Sequence, residues 1–352
     1  MEQLLNMNYQ AQLNKNRKEE KILLAHGSGG ELSHKLVSTF FLNAFTNPYL
    51  DPLDDMAVLK VGESRLAFTT DSYVVTPIFF PGGDIGKLAV CGTINDLAMG
   101  GATPLFLSAG FIIEEGFPLS DLEKIIASMK EISMATGVKI VTGDTKVVNK
   151  GALDQIFINT SGVGLIPPGV DISGRNAKVG DKVIISGSIG DHGISILSSR
   201  EGLQFTTTLK SDCAPLNDLV AKMLATSLEI HSLRDPTRGG IASALNELAR
   251  QAEVGIWIEE ELVPIKEEVR GACELLGLDP WHLANEGKLI AIVPAPVAEK
   301  ILAQMRAHPL GTEARIIGEV RAEPKGKVVL RTNFGSTRIL DMLMGEALPR
   351  IC

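Results

Sequence analysis

The sequence predicts a two-domain α/β protein, on the evidence of its length, its order of strand and helix patterns, and one proline-glycine break. At 352 residues the chain is more than twice the usual domain size of roughly 100 to 150 residues. Its composition is 45% hydrophobic and 22% charged, so each half can bury a core. The break Leu165-Ile-Pro-Pro-Gly-Val170 is the predicted linker between domains at 22–166 and 170–338.

The first half alternates helical and strand-like patterns. A glycine loop, His26-Gly-Ser-Gly-Gly30, opens a predicted helix over Glu31–Phe45, where apolar residues recur at helical spacing. The other elements predicted here are strands at Met56–Val61, Leu66–Thr70 and Val138–Thr142, and helices at Ile85–Met99 and Leu119–Thr136. These strands are few for a closed sheet, which favours pairing with a second copy across a two-fold axis.

The second half repeats this mixed order. Its predicted strands are Lys182–Ser186, Gly255–Ile258, Leu289–Val293 and Ala314–Val320, and its predicted helices are His192–Ser199, Pro215–Thr226, Gly239–Glu253 and Val297–Arg306. A short helix is predicted over Ile339–Glu346, inside a mobile C-terminal tail, 339–352. Residues 1–21 are polar and lack a signal-peptide apolar region, so they are predicted to form a flexible N-terminal tail.

Charge and composition exclude several classes of partner. The net charge of -8 and the aromatic content of 5% leave neither a basic nor a stacking surface for nucleic acid. No apolar run reaches the roughly 18 residues of a membrane helix. The four cysteines are far apart and form no CxxC pair, which indicates reduced thiols in the cytoplasm.

Aspartates recur beside the apolar elements of the first half. Asp54 and Asp55 precede a strand, Asp71 follows one, Asp96 lies within an apolar helix, and Asp144 follows Ile140-Val-Thr-Gly143. Taken alone, each is more often a cap or turn residue. Carboxylates beside buried surface are costly unless they are paired or bind a cation, and Mg²⁺ prefers such oxygen ligands together with nucleotide phosphates. The group therefore predicts a Mg-ATP site.

The glycine loop offers backbone N-H groups at a helix start, where phosphate can bind. It is neither a Walker loop nor a GxGxxG fingerprint, and a plain turn is the alternative. His26 is equally consistent with a surface imidazole.

Several motifs together carry a resemblance that covers residues 22 to 345. They are Leu53-Asp-Asp-Met-Ala-Val-Leu59, Phe68-Thr-Thr-Asp71, Asn95-Asp-Leu-Ala-Met-Gly-Gly-Ala102, Gly143-Asp-Thr145, Ser186-Gly-Ser-Ile-Gly-Asp-His-Gly193 and Asp235-Pro-Thr-Arg-Gly-Gly-Ile241. In this order the chain resembles the aminoimidazole-ribotide synthetase-like ATP-binding superfamily. Within it, Gly143-Asp-Thr-Lys-Val-Val148 and the ending Pro349-Arg-Ile-Cys352 resemble the HypE family of hydrogenase maturation factors.

The resemblance implies a two-domain PurM-like fold, α/β (α+β), with an N-terminal mixed-sheet domain that forms a homodimer and a C-terminal α/β domain. It implies ATP bound near the dimer interface under the glycine loop, and ATP-dependent dehydration of a carbamoyl group on the C-terminal cysteine to a thiocyanate. The cyano group would then go to the iron of [NiFe]-hydrogenase. The implied partners are the carbamoyltransferase HypF, which loads the thiol from carbamoyl phosphate, and a HypC-HypD complex, which receives the cyanide.

Combined with the residue chemistry, the resemblance gives a set of expected site residues. ATP and Mg²⁺ are expected at His26, Gly27, Ser28, Gly29, Gly30, Asp54, Asp55, Asp71, Asn95, Asp96, Asp144 and Thr145, with Asp55, Asp71, Asp96 and Asp144 as the metal ligands. Cys352 is the expected carrier thiol, Lys146 would bind phosphate or orient the amide, and Glu286 would remove the amide proton. Taken alone, Lys146 is equally consistent with a solvated lysine. Glu286 taken alone would more often be a turn carboxylate. For His192 and Arg238, a structural role in the second domain is the favoured interpretation.

Two alternatives stay open at this stage. One is another enzyme of the same fold, a selenophosphate synthetase, a thiamine-phosphate kinase or the purine synthetase. The first would need a reactive Cys near the glycine loop, where none precedes Cys91, and the others leave Cys352 unexplained. The second is a non-catalytic carrier that presents Cys352 to partners.

Overall fold

The structure is a computed structural model that describes residues 21–200, 208–345 and 350–352. The predicted flexible N-terminal tail, apart from Lys21, lies outside the described residues, and so do Leu348 and Pro349 near the C-terminus. Among the described residues, no helix has both the length and the apolar character needed to cross a bilayer.

The elements of the first half follow the predicted order, with additional strands. Its strands are β1 (Ala57–Val61), β2 (Ser64–Tyr73), β3 (Phe79–Phe80), β4 (Gly83–Asp84), β5 (Thr103–Glu114), β6 (Lys139–Val148) and β7 (Ile156–Ile166). Its helices are α1 (Glu31–Leu36), α2 (Ile85–Met99) and α3 (Leu119–Thr136). The predicted single helix over Glu31–Phe45 is instead α1, a wide π-helical turn at Val37–Leu42 and a short turn at Asn43–Phe45.

One five-stranded sheet organises this half within the described residues, in the order β1-β2-β7-β5-β6. The expectation of few strands was wrong, because β5 and β7 join β2 and β6 into a single sheet. All neighbours are antiparallel except β5 and β6, which are parallel and pair Gly110 with Asp144. Helix α2 packs on one face against β2 and β7 and is buried along nearly its whole length.

The opposite face of this sheet carries exposed apolar side chains. Phe68 on β2 and Phe106 on β5 are 42% and 46% exposed, and both pair with Val163 of β7 between them. The edge strand β6 is exposed from Lys139 through Val147. Soluble chains rarely leave so extended an apolar sheet face and a strand edge uncovered.

The second half contains a larger mixed sheet. Its strands are β8 (Lys182–Ile185), β9 (Ser232–Arg234), β10 (Gly255–Glu259), β11 (Ile290–Val293), β12 (Arg315–Arg321), β13 (Lys327–Arg331) and β14 (Thr337–Ile339). Its helices are α4 (Asp191–Ser198), α5 (Asn217–Thr226), α6 (Gly240–Ala252), α7 (Glu267–Leu276) and α8 (Ala295–Arg306). The strand order is β14-β13-β10-β12-β8-β11-β9.

The two halves share one hydrophobic core. Ala67 of β2 and Leu97 of α2 belong to the same buried cluster as Ile184 of β8, Leu219 of α5 and Ile301 of α8. Fully buried apolar contacts of this kind make the two sheets one packed body.

The short helix predicted over Ile339–Glu346 was wrong for the described residues, 339–345. Leu340 donates its backbone N-H to the Val328 carbonyl at 2.9 Å, which continues the pairing of β14 with β13. Leu340 and Met342 are buried while Asp341 between them is exposed. An alternation of two residues is the period of an extended segment, so burial against the sheet prevails over the helical pattern.

Candidate functional site

Five carboxylates meet in one cavity between the two halves. The cavity has a volume of about 220 Å³ and is lined by Asp55, Asp71, Asp96, Asp235 and Glu286. Asp71 lies inside β2 rather than after it, Asp96 lies on α2, and Asp235 follows β9. Three of the four predicted metal ligands are therefore brought together, and the second half adds two further carboxylates.

Arg234 compensates part of this negative charge. Its Nη1 lies 2.6 Å from Asp55 Oδ1 and 3.3 Å from Glu247 Oε2, and its side chain is 8% exposed. These buried carboxylates raise the pKa of Arg234, against the effect of its burial, so the guanidinium stays charged. One arginine shared between two acids anchors the cavity wall, because breaking such a buried pair is costly.

The other carboxylates of the cavity are buried close enough to repel one another. Burial raises the pKa of Asp96 well above its usual value, and the neighbouring Asp235, Asp71 and Asp55 add to this rise. Burial likewise raises the pKa of Asp235 to about 6. Carboxylates that are both desolvated and mutually repelling favour protonation or a bound cation.

Glu286 is positioned by its backbone and has a free side-chain oxygen. Its N-H donates to Asp212 Oδ1 at 3.0 Å, and its carbonyl accepts from Asn95 Nδ2 at 3.3 Å. The residue is 3% exposed, and its buried Oε1 has no hydrogen-bond partner. Burial, followed by the nearby Cys213 and Asp235, raises its pKa well above the usual range, which makes the carboxylate a stronger base.

The C-terminal residues are docked in the structure beside the segment that follows β2. Val74 and Thr76 donate their N-H groups to the carbonyls of Cys352 and Arg350, at 3.0 and 3.1 Å. Arg350 returns a bond from Nε to the Val74 carbonyl at 2.8 Å and forms an ion pair with Asp154. Two backbone bonds and the Arg350 side chain thus hold the tail against this segment.

Docking brings Cys352 to the mouth of the carboxylate cavity. The residue is half-buried, lines the cavity together with Glu286 and Arg238, and has a free thiol. Desolvation raises the pKa of this thiol, Arg238 opposes the rise, and Glu286 and the nearby aspartates add to it. The surroundings of the docked Cys352 therefore favour an uncharged group on the sulfur over a thiolate.

Arg238 connects the cavity to the glycine loop. Its Nη1 donates to the Gly27 carbonyl at 3.3 Å. Gly29 has a φ of +73°, and a Cβ there would lie 2.7 Å from the Arg238 carbonyl oxygen, so only glycine fits this close approach. The Asp235-Pro-Thr-Arg-Gly-Gly turn and the loop consequently pack as a unit.

Several N-H groups of the glycine loop already bind protein atoms. Gly29 donates to Ser33 Oγ at 2.9 Å, and Glu31 donates to the Leu343 carbonyl at 2.9 Å. Ser28 Oγ donates to the Gly345 carbonyl at 3.1 Å, and His26 Nδ1 lies 3.0 Å from the Leu23 N-H. The loop holds the segment that leads to the C-terminus, and phosphate binding by it stays a prediction.

Two of the expected ligand residues have other partners. Asp54 accepts from Ser173 Oγ at 2.7 Å and from the Gly174 N-H at 2.9 Å, so it fixes the start of the second half. Asn95 is 1% exposed and accepts from the Leu216 N-H at 2.8 Å while it holds the Glu286 carbonyl. Asn95 thus positions a site residue rather than facing the cavity.

The remaining predicted residues lie elsewhere in this chain. Asp144, Thr145 and Lys146 are within β6 and are exposed, because this strand continues past the predicted end at Thr142. Lys146 Nζ lies 2.9 Å from Asp144 Oδ2, and this bond lowers the pKa of Asp144. Two strands separate β6 from the Asp71 strand, so a single chain does not gather these residues into the cavity.

The donor set of the cavity fits a hard divalent cation in chemistry. Its oxygen ligands are carboxylates, the type that Mg²⁺ takes together with phosphates. In the described part of the chain, however, no three acidic, histidine or cysteine side chains converge at ligand distance. The carboxylates that could hold Mg²⁺ in this cavity are those of Asp71 and Asp96.

Sequence reasoning missed Asp235 as a cavity residue and undervalued Arg238. Both belong to the Asp235-Pro-Thr-Arg-Gly-Gly-Ile241 motif, which was recognised only as a family feature. An acidic and a basic residue flanking a rigid proline turn, directly after a strand, was the available signal.

Comparisons with known proteins agree with this geometry. Residues 53–166 match the AIR synthase related protein, N-terminal domain, and residues 178–331 match the AIR synthase related protein, C-terminal domain. The carbamoyl dehydratase HypE of Azotobacter vinelandii is 55% identical to the chain over 94% of its length and 96% of the relative. The chain belongs to the HypE family of carbamoyl dehydratases.

Two solved structures of HypE proteins have the same fold. A hydrogenase maturation protein HypE in complex with ATP has 51% identity and a TM-score of 0.80, covering 94% of this chain and all of that one. A HypE-HypF complex gives 52% identity and a TM-score of 0.84, covering 88% of this chain and 99% of the other. The resemblance to the HypE family and the two-domain PurM-like α/β fold, both predicted from the motifs, are confirmed.

Proposed function

We propose that the chain dehydrates a carbamoyl group carried on its own Cys352, at the expense of ATP, to a thiocyanate that supplies cyanide for the iron of [NiFe]-hydrogenase. The observation that carries this proposal is the docked terminal thiol at the mouth of a cavity that also holds Glu286 and Arg238. Membership of a family whose relatives are named carbamoyl dehydratases supports the reaction type.

The surroundings of the docked Cys352 suit the two uncharged forms of the tail in this reaction. The thiocarbamate and the thiocyanate carry no charge on sulfur, whereas the pKa of the bare thiol is raised there because desolvation disfavours its thiolate. Nucleophilic loading of Cys352 needs the thiolate, so it belongs to an undocked tail that a carbamoyltransferase such as HypF can reach.

The chemistry balances as follows. The carbamoyl oxygen takes the γ-phosphoryl group of ATP, ADP leaves, and the nitrogen gives up one proton. The carbon-oxygen bond then breaks, phosphate leaves with the former carbonyl oxygen, and loss of the second N-H proton forms the carbon-nitrogen triple bond. Glu286 is the base for these protons, because its Oε1 is unpartnered and its raised pKa makes it a stronger base than an ordinary carboxylate. Arg238 faces the charge that develops on the phosphoryl group.

Asp71 and Asp96 are the proposed ligands of Mg²⁺, with Asp55 held behind them by Arg234. When bound, Mg²⁺ neutralises charge on the transferring phosphoryl group. The buried carboxylates around Asp96 support this, because a bound cation would offset the repulsion between them.

A homodimer is part of the proposal. The exposed apolar face around Phe68 and Phe106 and the open edge strand β6 support an interface between two copies. Such an interface would let Asp144, Thr145 and Lys146 of one copy complete the site of the other, with Lys146 near phosphate or the amide. HypF and a HypC-HypD complex are the proposed donor and acceptor partners, in the cytoplasm.

Intact-mass analysis tests the proposal. The chain is incubated with the carbamoylating partner, carbamoyl phosphate and Mg-ATP, and its mass is followed with time. A carbamoyl adduct should form and then lose the mass of one water, and Cys352→Ala should form no adduct. An adduct that persists in the presence of ATP would reduce the chain to a carrier, and an adduct on the Ala variant would refute the role of Cys352.

A further inference from the structure

His192 is a buried side chain that the reaction above does not use. It is the second residue of α4, in the Ser186-Gly-Ser-Ile-Gly-Asp-His-Gly193 motif, and it is fully buried. Its ring meets the ring of Phe80 edge-on, with 5.6 Å between centroids. A histidine in such a place needs partners for both ring nitrogens.

The two partners define which nitrogen carries the proton. Nε2 lies 2.8 Å from the Ile351 carbonyl, and Nδ1 lies 2.8 Å from Ser211 Oγ. A carbonyl can only accept, so Nε2 is the donor, and the Ser211 hydroxyl donates to Nδ1 of the neutral ring. Burial lowers the pKa of His192, which keeps the ring neutral.

The contact of His192 with the Ile351 carbonyl supplies a donor that the segment after β2 does not provide. The carbonyls of Arg350 and Cys352 are paired with Thr76 and Val74. The Ile351 carbonyl takes no part in these two bonds, and it meets His192 Nε2 instead. Because this carbonyl is buried, leaving it without a donor would be costly.

We propose that His192 is a positioning residue that latches the C-terminal tail in the docked pose through the Ile351 carbonyl. The inference rests on the proposed function, since docking is the pose in which Cys352 meets Glu286. The latch binds backbone one residue before the reacting sulfur, so it holds the bare, carbamoylated and cyanated tail alike.

The latch has opposite effects on the two steps of the reaction, carbamoyl loading and dehydration. Carbamoyl loading requires the tail to leave the pocket, so weakening the latch leaves loading unimpaired or speeds it. Dehydration requires the tail to stay, so weakening the latch slows it. A variant that merely destabilises the fold would slow both steps.

Alkylation of Cys352 measures docking without ATP or any partner. Iodoacetamide reacts with the undocked thiol, and intact mass, with Cys352→Ala as background, reports the rate. His192→Ala is expected to raise this rate about fivefold, the effect of one lost hydrogen bond. His192→Gln, whose amide can donate to the same carbonyl, should restore much of the protection. Ser211→Ala removes the hydroxyl that keeps the proton of His192 on Nε2 but leaves the ring in place. This variant should raise the rate by a smaller factor.

His231→Ala is the matched control, because His231 also bonds a buried group, Asp181 Oδ2 at 2.7 Å, but away from the tail. It should leave alkylation of Cys352 unchanged. The same variants are then carbamoylated and followed for loss of water after ATP is added. Equal alkylation rates in wild type, His192→Ala and Ser211→Ala would overturn the latch, even if dehydration proceeds. A wild type that never loses water would refute the proposed function, while the alkylation rates still decide the latch.

Discussion

Mixed dimers test whether Lys146 acts across an interface. Within one chain, β6 and β2 are separated by β7 and β5, so Lys146 lies about 14 Å of sheet away from the Asp71 strand. A lysine side chain cannot bridge that distance from the sheet edge. If Lys146 serves the reaction, it must serve the cavity of a second copy.

The perturbation is a pair of inactive variants, Cys352→Ala and Lys146→Ala, mixed under conditions that exchange subunits. In a mixed dimer the Lys146→Ala chain still carries Cys352, and the other chain still carries Lys146. Action across the interface therefore leaves one working site per mixed dimer. Random pairing makes half of the dimers mixed, so about a quarter of the wild-type thiocyanate should form.

The assay is intact mass of the Lys146→Ala chain, distinguished by an added mass tag, after carbamoylation and addition of Mg-ATP. Each variant alone provides the background. Activity of the mixture no greater than this background, with mixed dimers present by native mass spectrometry, would refute action across the interface. Full activity of Lys146→Ala alone would remove Lys146 from the mechanism.

Four further variants test other parts of the site. Phe106→Asp should halve the mass measured by light scattering, because a charge on the exposed apolar face opposes pairing; an unchanged dimer would move the interface elsewhere. Glu286→Gln should keep ATP binding but slow dehydration by about a hundredfold or more, and in wild type the rate should fall as pH falls through the raised pKa of Glu286. For Asp235, burial raises the pKa to about 6, so the folded chain binds a proton more tightly than the unfolded chain does. The stability of the wild type relative to Asp235→Asn should therefore fall by up to about 3 kcal/mol as the pH rises from 4 to 6, and thermal melts at several pH values would detect this. Asn95→Ala should lower the free energy of unfolding by about 1 to 3 kcal/mol, because it leaves the Leu216 N-H unpaired and removes one donor from the Glu286 carbonyl; denaturant unfolding with no change would contradict that role.

The sequence allowed two of the three helices expected in the first half to be predicted closely, whereas the third, over Glu31–Phe45, is interrupted by a π-helical turn. The helices predicted at Ile85–Met99 and Leu119–Thr136 coincide with α2 and α3. Strands β5 and β7 were missed, since their outward face is itself apolar and blurs the alternation that identifies a half-buried strand. The open sheet face thus contributed to the missed strands, and it supports the proposed dimer on grounds other than the strand count from which a dimer was expected.

The site was predictable in its chemistry more than in its contacts. Asp55, Asp71 and Asp96 were grouped correctly because carboxylates beside apolar elements need partners, and the structure gathers them. Asp54 and Asn95 belong to the same motifs, but their side chains bind the second half, which no local pattern encodes. Contacts between residues more than a hundred positions apart are decided by packing, and a single sequence does not display them.

The shared core between the two sheets limits which parts of this molecule can move. Many enzymes that use nucleotides close two lobes around a stationary substrate, a motion that needs a weakly packed cleft. Here Ala67, Leu97 and Ile184 are fully buried in one cluster, so the lobes cannot part without exposing it. The two packed sheets therefore form a fixed framework, and the movement that the proposed reaction requires is confined to the C-terminal segment that carries Cys352.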